Sequence, residues 1–392
     1  MNIAFVGYHH FQANGTVHVF NLANALVELG HHCAVIVPDS LETVHTIGTP
    51  LFSYLTYADA CAGALKFPDG RGPDIIHGWT PREGVRQTIE ALVERYRCPY
   101  VIHLEDNEQV IAASQLGSTW DKLTKLSMAD LDAAVGKGLT HPLRYRPFLE
   151  RAAGMTLIID RLFEFKPDNV PGILLWPAFE ANIFKPQPAD LELRRSLNIP
   201  DGNFLVVYPG NSHPANAAEI RSLYLAIAAV NRRRIPVTLL RIGSDYADFL
   251  GTELREVRRH VVELGRWEAR REVIAQHLAL ADVLIQPGRP DAFNDYRFPS
   301  KLPEFFGMGK PVILPKSNIG HHVRDGVDGV LLHEGSALEL AEKLEAVLRD
   351  PERRTILGEN ARAFAGANFS WRKGGEKLAA FYQRLCGASR GA

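Results

Sequence analysis

Residues 289–315, RPDAFNDYRFPSKLPEFFGMGKPVILP, gather groups that could hold an anion next to a pair of hydroxyls. Asp295, Arg297, Ser300 and Lys301 come just before a predicted helix whose first turns carry Glu304. Ser300 suits an N-cap, and the exposed amides of a helix start attract anions. Lys301 adds a point charge and Arg297 a two-pronged donor. Glu304, one turn further on, can accept hydrogen bonds from paired hydroxyls such as those of a ribose. The set suits a nucleoside diphosphate. An isolated S-K-x-x-E is more often an ordinary capped helix with a solvated salt bridge. The G-x-G-K-P-V-I turn into a following strand sets this one apart.

Other candidates are less specific. Asn14-Gly15-Thr16 opens a predicted helix after the first strand, where Gly15 would let backbone approach a ligand and the helix start favours negative charge. His103 ends the run PYVIH and precedes Leu104-Glu105-Asp106-Asn107-Glu108. His77-Gly78-Trp79-Thr80-Pro81-Arg82 also reads as following a strand, with a structural role for His77 favoured over a ligand-lining one. His9 and His10 lie in the loop after the first strand and could be either. Asp130 and Asp132 form a D-x-D in MADLDAAVGKG, a helical context that reads as a solvated face rather than a metal-holding loop. The basic clusters at 232–234 and 255–259 read the same way. No Walker loop, G-x-S-x-G or Ser/His/Asp order stands out.

The elements that must position these residues alternate strand and helix. Predicted strands are Asn2–Val6, Cys33–Val37, Asp74–Ile76, Tyr100–His103 and Thr156–Ile159 in the first half. Phe204–Tyr208, Val237–Ile242, Val283–Gln286, Val312–Leu314 and Gly329–Leu332 follow in the second. Predicted helices include Thr16–Leu29, stopped by Gly30, then Ala217–Arg232, Arg270–Leu280, Ala337–Leu348 and Lys373–Leu385. Alternation of this kind implies parallel strands joined by crossovers. The Pro-rich stretch around residues 178–190 reads as a linker. The expected fold class is α/β: two doubly wound halves with a ligand cleft at the carboxyl ends of their strands.

Composition narrows the partners. The 392 residues carry 44 Lys plus Arg and 45 Asp plus Glu, a formal net charge of -1, which gives no overall case for nucleic-acid binding. The four cysteines show no paired or zinc-ligand spacing and read as thiols of a reducing compartment. The N-terminus lacks the pattern of a signal peptide, and no apolar run approaches the ~20 residues of a membrane span. These features point to a cytoplasmic protein, with peripheral contact at the inner face of the membrane left open.

Residues 289–315 resemble the C-domain signature of family 4 retaining glycosyltransferases, the glycosyl transferases group 1, usually E-G-F-G-x-P-x-x-E-A-x-A-x-G-x-P-V-I. Pro299, Glu304, Gly309, Pro311 and Val312 match it. VPGILLWPAFEANIFKP resembles the family's interdomain segment, LVVYPGNSHPAN its first C-domain strand and loop, and VELGRWEARREVIAQHLALADVLIQP its base-binding region. NFSWRKGGEKLAAFYQRL resembles its closing segment. The resemblance implies the GT-B fold, with two Rossmann-like domains facing across a cleft. It implies an acceptor-binding domain at 1–180, a nucleotide-sugar-binding domain at 190–372 and a helix at 373–392 returning to the first domain.

The resemblance also implies an activity: metal-independent transfer of a sugar from a nucleotide-diphosphate sugar, with no other cofactor. The acceptor would be the hydroxyl of a glycan, lipid-linked or small-molecule partner, in glycan, polysaccharide or glycolipid synthesis. His103 matches a family histidine near the donor sugar, a residue that orients and hydrogen-bonds rather than abstracts a proton. The chain departs from the family twice. The first Glu of E-x7-E is absent: Tyr296 lies eight before Glu304, and alignment on Pro299 puts Asn294 there, with Asp295 as the neighbouring carboxylate. The family's Arg/Lys pair after the first C-domain strand is replaced by Gly210-Asn211-Ser212-His213. Arg297 and Lys301 are then expected to neutralise the pyrophosphate, with amides from Asn211 to His213 and the Gly15 loop assisting. The implied catalytic set is His103, Glu304 and Asp295. A nucleotide-sugar-binding protein without catalysis, or a sugar-nucleotide epimerase using Glu105 and Asp106, are the alternatives.

Overall fold

A strand that buries every side chain needs cover on both faces of its sheet, and parallel strands joined by helical crossovers provide it. The computed structural model describes residues 1–265 and 270–388. It divides into a first unit, Met1–Ala178 with Tyr296–Phe298 and the chain from Ser370 on, and a second unit, Phe179–Asp295 with Pro299–Phe369.

The first unit holds β1 (Asn2–Val6), β2 (His32–Val37), β3 (Ser53–Thr56), β4 (Ile75–Trp79), β5 (Tyr100–Leu104), β6 (Gly154–Leu157) and β7 (Gly172–Leu174). They form a seven-stranded sheet in the order β3-β2-β1-β4-β5-β6-β7, every pair parallel. The winding reverses between β1 and β4, which opens a crevice at the carboxyl edge. The register sets Trp79 beside His103 and His103 beside Thr156, so these side chains form one row across three strands. Helix α1 (Asn14–Glu28) stops where Gly30 takes φ 86°. The amides of Gly30 and His31 close on the carbonyls of Val27 and Leu26, a Schellman stop. Helices α2 (Glu83–Tyr96) and α3 (Glu108–Gln115) follow β4 and β5.

The C-terminal helix, Trp371–Ala388, lies against α1 and completes this core with Leu378, Phe381, Tyr382 and Leu385. Gly154 opens the face of β6 to it: a Cβ there would lie 2.6 Å from Phe381 Cζ. Residues 389–392 of the expected 373–392 segment, and residues 266–269 of the expected base-binding region, lie outside the described residues.

The second unit repeats the plan. Strands β8 (Phe204–Pro209), β9 (Val237–Ile242), β10 (Val261–Leu264), β11 (Val283–Ile285), β12 (Val312–Pro315) and β13 (Val330–Leu332) run parallel in the order β10-β9-β8-β11-β12-β13. Helices α4 (Ala217–Arg232), α5 (Arg271–Ala279), α6 (Leu302–Gly307), α7 (Ala337–Leu348) and α8 (Pro351–Asn368) flank it. Ile220, Leu223 and Ile227 of α4 pack with Leu340 and Leu344 of α7 over Val206 and Leu239. Among the described residues no helix is long and apolar enough to cross a membrane.

Some elements differ from the sequence reading. β3, β7 and β10 were not foreseen, and each lies at the edge of its sheet with half-exposed side chains rather than a buried apolar run. α8 was also missed, since it buries chiefly small residues, Gly358, Ala361 and Ala365, around Leu357. His77 and Trp79 lie inside β4 rather than after it. Ser300 does not cap a helix: α6 begins at Leu302, Lys301 holds the N-cap position and its side chain makes no capping bond, and Ser300 is exposed.

Phe381 anchors the C-terminal helix, so Phe381→Ala is expected to destabilise the first unit by about 3–5 kcal/mol, the usual range for an aromatic cavity. Denaturant unfolding followed by tryptophan fluorescence checks this. A loss below about 1 kcal/mol would mean the helix is not integral to that core.

Candidate functional site

In the second unit, β11 leads through residues 286–291 into a short helix, Ala292–Asp295, and on to α6. This brings Lys301 to the carboxyl edge of the sheet, with its Nζ 4.9 Å from the centroid of the Tyr208 ring at the end of β8. An ammonium over an aromatic face is stabilised yet keeps its charge. Glu304 is half-buried. Arg271 Nη2, at the start of α5, lies 2.6 Å from Glu304 Oε1 and 2.6 Å from Glu180 Oε2. One guanidinium thus serves two carboxylates, and it sits over the Phe184 ring at 5.2 Å. Burial raises the Glu304 pKa to about 7, against the pull of Arg271 and with help from Glu180. Burial also raises Glu180. Neither Arg271 nor Glu180 stood out in the sequence. They lie far apart in the chain, and only the fold brings them to Glu304.

Asp295 is engaged within the unit: its Oδ1 accepts from the Asn318 amide at 3.1 Å and lies 2.8 Å from His321 Nε2. Asn294 is buried and donates to Glu219 and to the Arg289 carbonyl. The position aligned with the family's first Glu is therefore part of a loop-fastening network, and so is its neighbour.

The Gly210–His213 loop is likewise closed on itself. The Ser212 amide donates to the Ser244 carbonyl at 2.9 Å, and the His213 amide to Asn216 Oδ1 at 2.8 Å. Asn211 Oδ1 accepts from the Ser244 amide at 2.8 Å. The amides of Ser212 and His213 are therefore already used, which corrects the expectation that they serve a phosphate. Beneath the loop lies Arg241, 1% exposed. It donates to the Gly210 and Ser244 carbonyls at 3.3 Å each, contacts Tyr224 Oη at 3.3 Å and pairs with Asp245. A charge inside the apolar run VTLLRI was the available signal for it, since a buried guanidinium must be paired.

Arg297 falls in Tyr296–Phe298, which belongs to the first unit. Its charge bears on Asp106, which burial and the neighbouring Glu105 and Glu108 push up to about 7. Glu108 is buried and takes both Arg82 (3.0 and 3.1 Å) and Thr140 Oγ1 (3.0 Å). The Arg82 guanidinium also lies over the Tyr8 ring at 4.2 Å.

Gly15 plays a different part from the one expected. A Cβ built on it would lie 2.5 and 2.8 Å from the Glu105 carboxylate oxygens and 2.9 Å from Tyr8. The side of Gly15 that a side chain would fill faces a carboxylate. α1 has no side-chain N-cap, so that negative charge faces its positive end. Glu105 Oε1 accepts from Trp79 Nε1 at 2.7 Å and lies 3.3 Å from His18 Nδ1.

His103 is 1% exposed and stacks on Trp79, ring centroids 3.8 Å apart. Its Nδ1 is 2.8 Å from Thr156 Oγ1, and its Nε2 is buried with no partner among the described residues. His77 is fully buried between Thr156 and Tyr382, so it lines no ligand surface. His9 and His10 lie edge to face, 4.1 Å apart, on a cleft of about 690 Å³ shared with Tyr8, Asp39, Tyr57 and Lys137. That cleft opens beside the carboxyl ends of β1 and β2.

Residues 203–350 match the model of the glycosyl transferases group 1 family. Over 204 residues the chain is 28% identical to a D-inositol 3-phosphate glycosyltransferase of Geodermatophilus obscurus. That match spans 48% of this chain and 42% of the relative's own length. Among solved structures, Alr3699/HepE of Anabaena in complex with UDP superposes with a TM-score of 0.69 at 18% identity, over 98% of this chain and 100% of that one. A glycosyltransferase from Rickettsia africae gives 0.69 at 13% identity, over 98% of each chain. At such identities the likeness is one of fold. Two parallel-sheet Rossmann-like units of the GT-B type, the second carrying a glycosyl transferases group 1 match, make up this chain.

Proposed function

We propose that the protein is a retaining glycosyltransferase. It moves a sugar from a nucleoside diphosphate sugar to an acceptor hydroxyl in glycan, polysaccharide or glycolipid synthesis. The observation that carries this reading is the group 1 match over residues 203–350 together with Lys301 and Glu304 at the carboxyl edge of that unit's sheet. Lys301 meets the diphosphate as a fixed point charge, aimed at the charge that develops as the bond to the sugar breaks. Glu304 accepts from the ribose hydroxyls, with Arg271 holding its carboxylate in place. The UDP bound to Alr3699/HepE makes a UDP-sugar the first donor to test. The first unit takes the acceptor in the cleft lined by Tyr8, His9, Tyr57 and Lys137, and His103 hydrogen-bonds a sugar hydroxyl.

In the reaction the acceptor oxygen bonds to the anomeric carbon on the face that the diphosphate leaves. The departing phosphate takes the hydroxyl proton. No protein nucleophile is required, in contrast to the paired carboxylates of a retaining glycosidase. The chemistry proposed here is independent of metal. Asp130 and Asp132, the only D-x-D in the chain, lie on an exposed helix, where Asp132 pairs with Arg144 and Asp130 with Ser127.

Lys301→Ala is expected to weaken UDP binding by about 1.5–3 kcal/mol while leaving uridine binding nearly unchanged. Calorimetry with both ligands decides it: equal losses would take Lys301 away from the phosphates. Glu304 supplies a pH test. Its carboxylate form is the better acceptor, and that form is lost as pH falls through about 7. Uridine carries no phosphate to titrate in this range. Its affinity should therefore fall between about pH 8 and about pH 6, and the dependence should vanish in Glu304→Gln. A Glu304→Gln protein with the wild-type pH profile would clear Glu304 of this role. Transfer from a UDP-sugar to an acceptor panel is expected to persist in EDTA. Loss of turnover in chelator, restored by manganese or magnesium, would overturn metal independence.

A further inference from the structure

A line of buried polar side chains runs through the first unit from the C-terminal helix to His103. The Tyr382 hydroxyl lies 2.6 Å from His77 Nδ1. His77 Nε2 lies 3.0 Å from Thr156 Oγ1, and Thr156 Oγ1 lies 2.8 Å from His103 Nδ1. All are shielded from water: Tyr382, His77 and Thr156 at 0% and His103 at 1%. Burial pushes the pKa of His77 down to about 3 and that of His103 well below the ordinary imidazole value. Each ring is therefore neutral and holds one proton on one of its two nitrogens.

The Thr156 hydroxyl has one proton, so in a continuous line it gives to one ring and receives from the other. The line can then run in either of two directions. In the first, Tyr382 donates to His77 Nδ1, His77 Nε2–H donates to Thr156, and Thr156 donates to His103 Nδ1. His103 then carries its proton on Nε2. In the second, every donor and acceptor exchanges. His103 Nε2 has no partner among the described residues in either case. The first direction leaves one buried group unmet, the His103 Nε2–H. The second leaves two, the Tyr382 proton and the bare His103 Nε2, because His77 is the only hydrogen-bond partner of that hydroxyl among the described residues.

We propose that Tyr382, His77 and Thr156 fix His103 in the tautomer that carries its proton on Nε2, making it a hydrogen-bond donor and denying it the role of base. Tyr382 and His77 are 305 residues apart in sequence, so the closing helix of the chain is a positioning element for a histidine in the middle of the sheet. Trp79 supports the arrangement. It stacks flat on the His103 ring, and its own plane is held by the bond to Glu105. The bearing of this tautomer on activity rests on the reading of His103 as the ligand of a sugar hydroxyl. The tautomer itself does not.

The test uses the full chain labelled with 15N-histidine and a two-bond proton–nitrogen correlation spectrum, recorded without substrate. His103 and His77 are expected to show a protonated Nε2 and a bare Nδ1. Tyr382→Phe removes the first donor, and the His103 nitrogen shifts should move toward an average of the two tautomers. Thr156→Val should do the same, while Thr156→Ser, which keeps the hydroxyl, should retain the wild-type shifts. Where the tautomers become equal, kcat falls by about half, in step with the competent fraction. A proton on His103 Nδ1 in the wild type would overturn the proposal. So would shifts that stay fixed in both Tyr382→Phe and Thr156→Val. The spectra stand apart from turnover, so a His103→Ala enzyme with normal kcat would remove the sugar contact and leave the tautomer assignment intact.

Discussion

Parallel pairing is the constraint from which the rest of this molecule follows. Every strand in both sheets runs in one direction, so each return must be made by a crossover, and every loop that follows a strand emerges at the same edge. In the first unit that edge collects Tyr8, His9, Thr80 and the acidic run after β5. In the second it collects the Gly210–His213 loop, residues 286–295 and Lys301. Side chains distant in the chain meet there because the topology leaves their loops nowhere else to go. The reversal of winding beside β1 and beside β8 spreads the flanking loops and leaves room between them.

Two guanidinium groups act as fasteners near the edge of the second unit's sheet. Arg241 ties the Gly210 and Ser244 loops together through their carbonyls and keeps its charge balanced by Asp245. Arg271 does the same for two carboxylates at once. In each case a guanidinium fastens backbone or carboxylates that would otherwise be separate. Such fixed charges need no rearrangement when a ligand's charge develops beside them. The network around Glu105 works in the same manner with the sign reversed, since a carboxylate faces the start of α1 and is bonded by Trp79.

The fold was legible in the sequence to the extent that burial left a mark on it. The central strands and the long amphipathic helices show as apolar runs and repeats because tertiary burial selects them. β3, β7 and β10 pack at sheet edges, where one side is open, and they leave no such mark. Lys301 and Glu304 were legible as candidates because they are near neighbours in a motif. Arg271 and Glu180 were not, because their meeting with Glu304 depends on three separate elements. Ser300 was misjudged because local propensity favours Ser as an N-cap. The helix instead begins one residue later, at Leu302, with Lys301 at the N-cap position and Pro303 in its first turn. The neighbour of Gly15 was illegible for a related reason. A glycine at a helix start shows that something comes close, without showing whether it is a ligand or another part of the chain.

That last pairing has an evolutionary side. With the Glu105 oxygens lying where a Cβ on Gly15 would be, the sizes of residues 15 and 105 are bound together. An alanine at 15 can be accommodated only if the acid at 105 shortens or swings away, and either change releases the Trp79 indole from its anchor. Among descendants of this chain the two positions should therefore drift as one. Glycine should persist for as long as the long acid does, and a larger residue at 15 should arrive together with a shorter partner at 105.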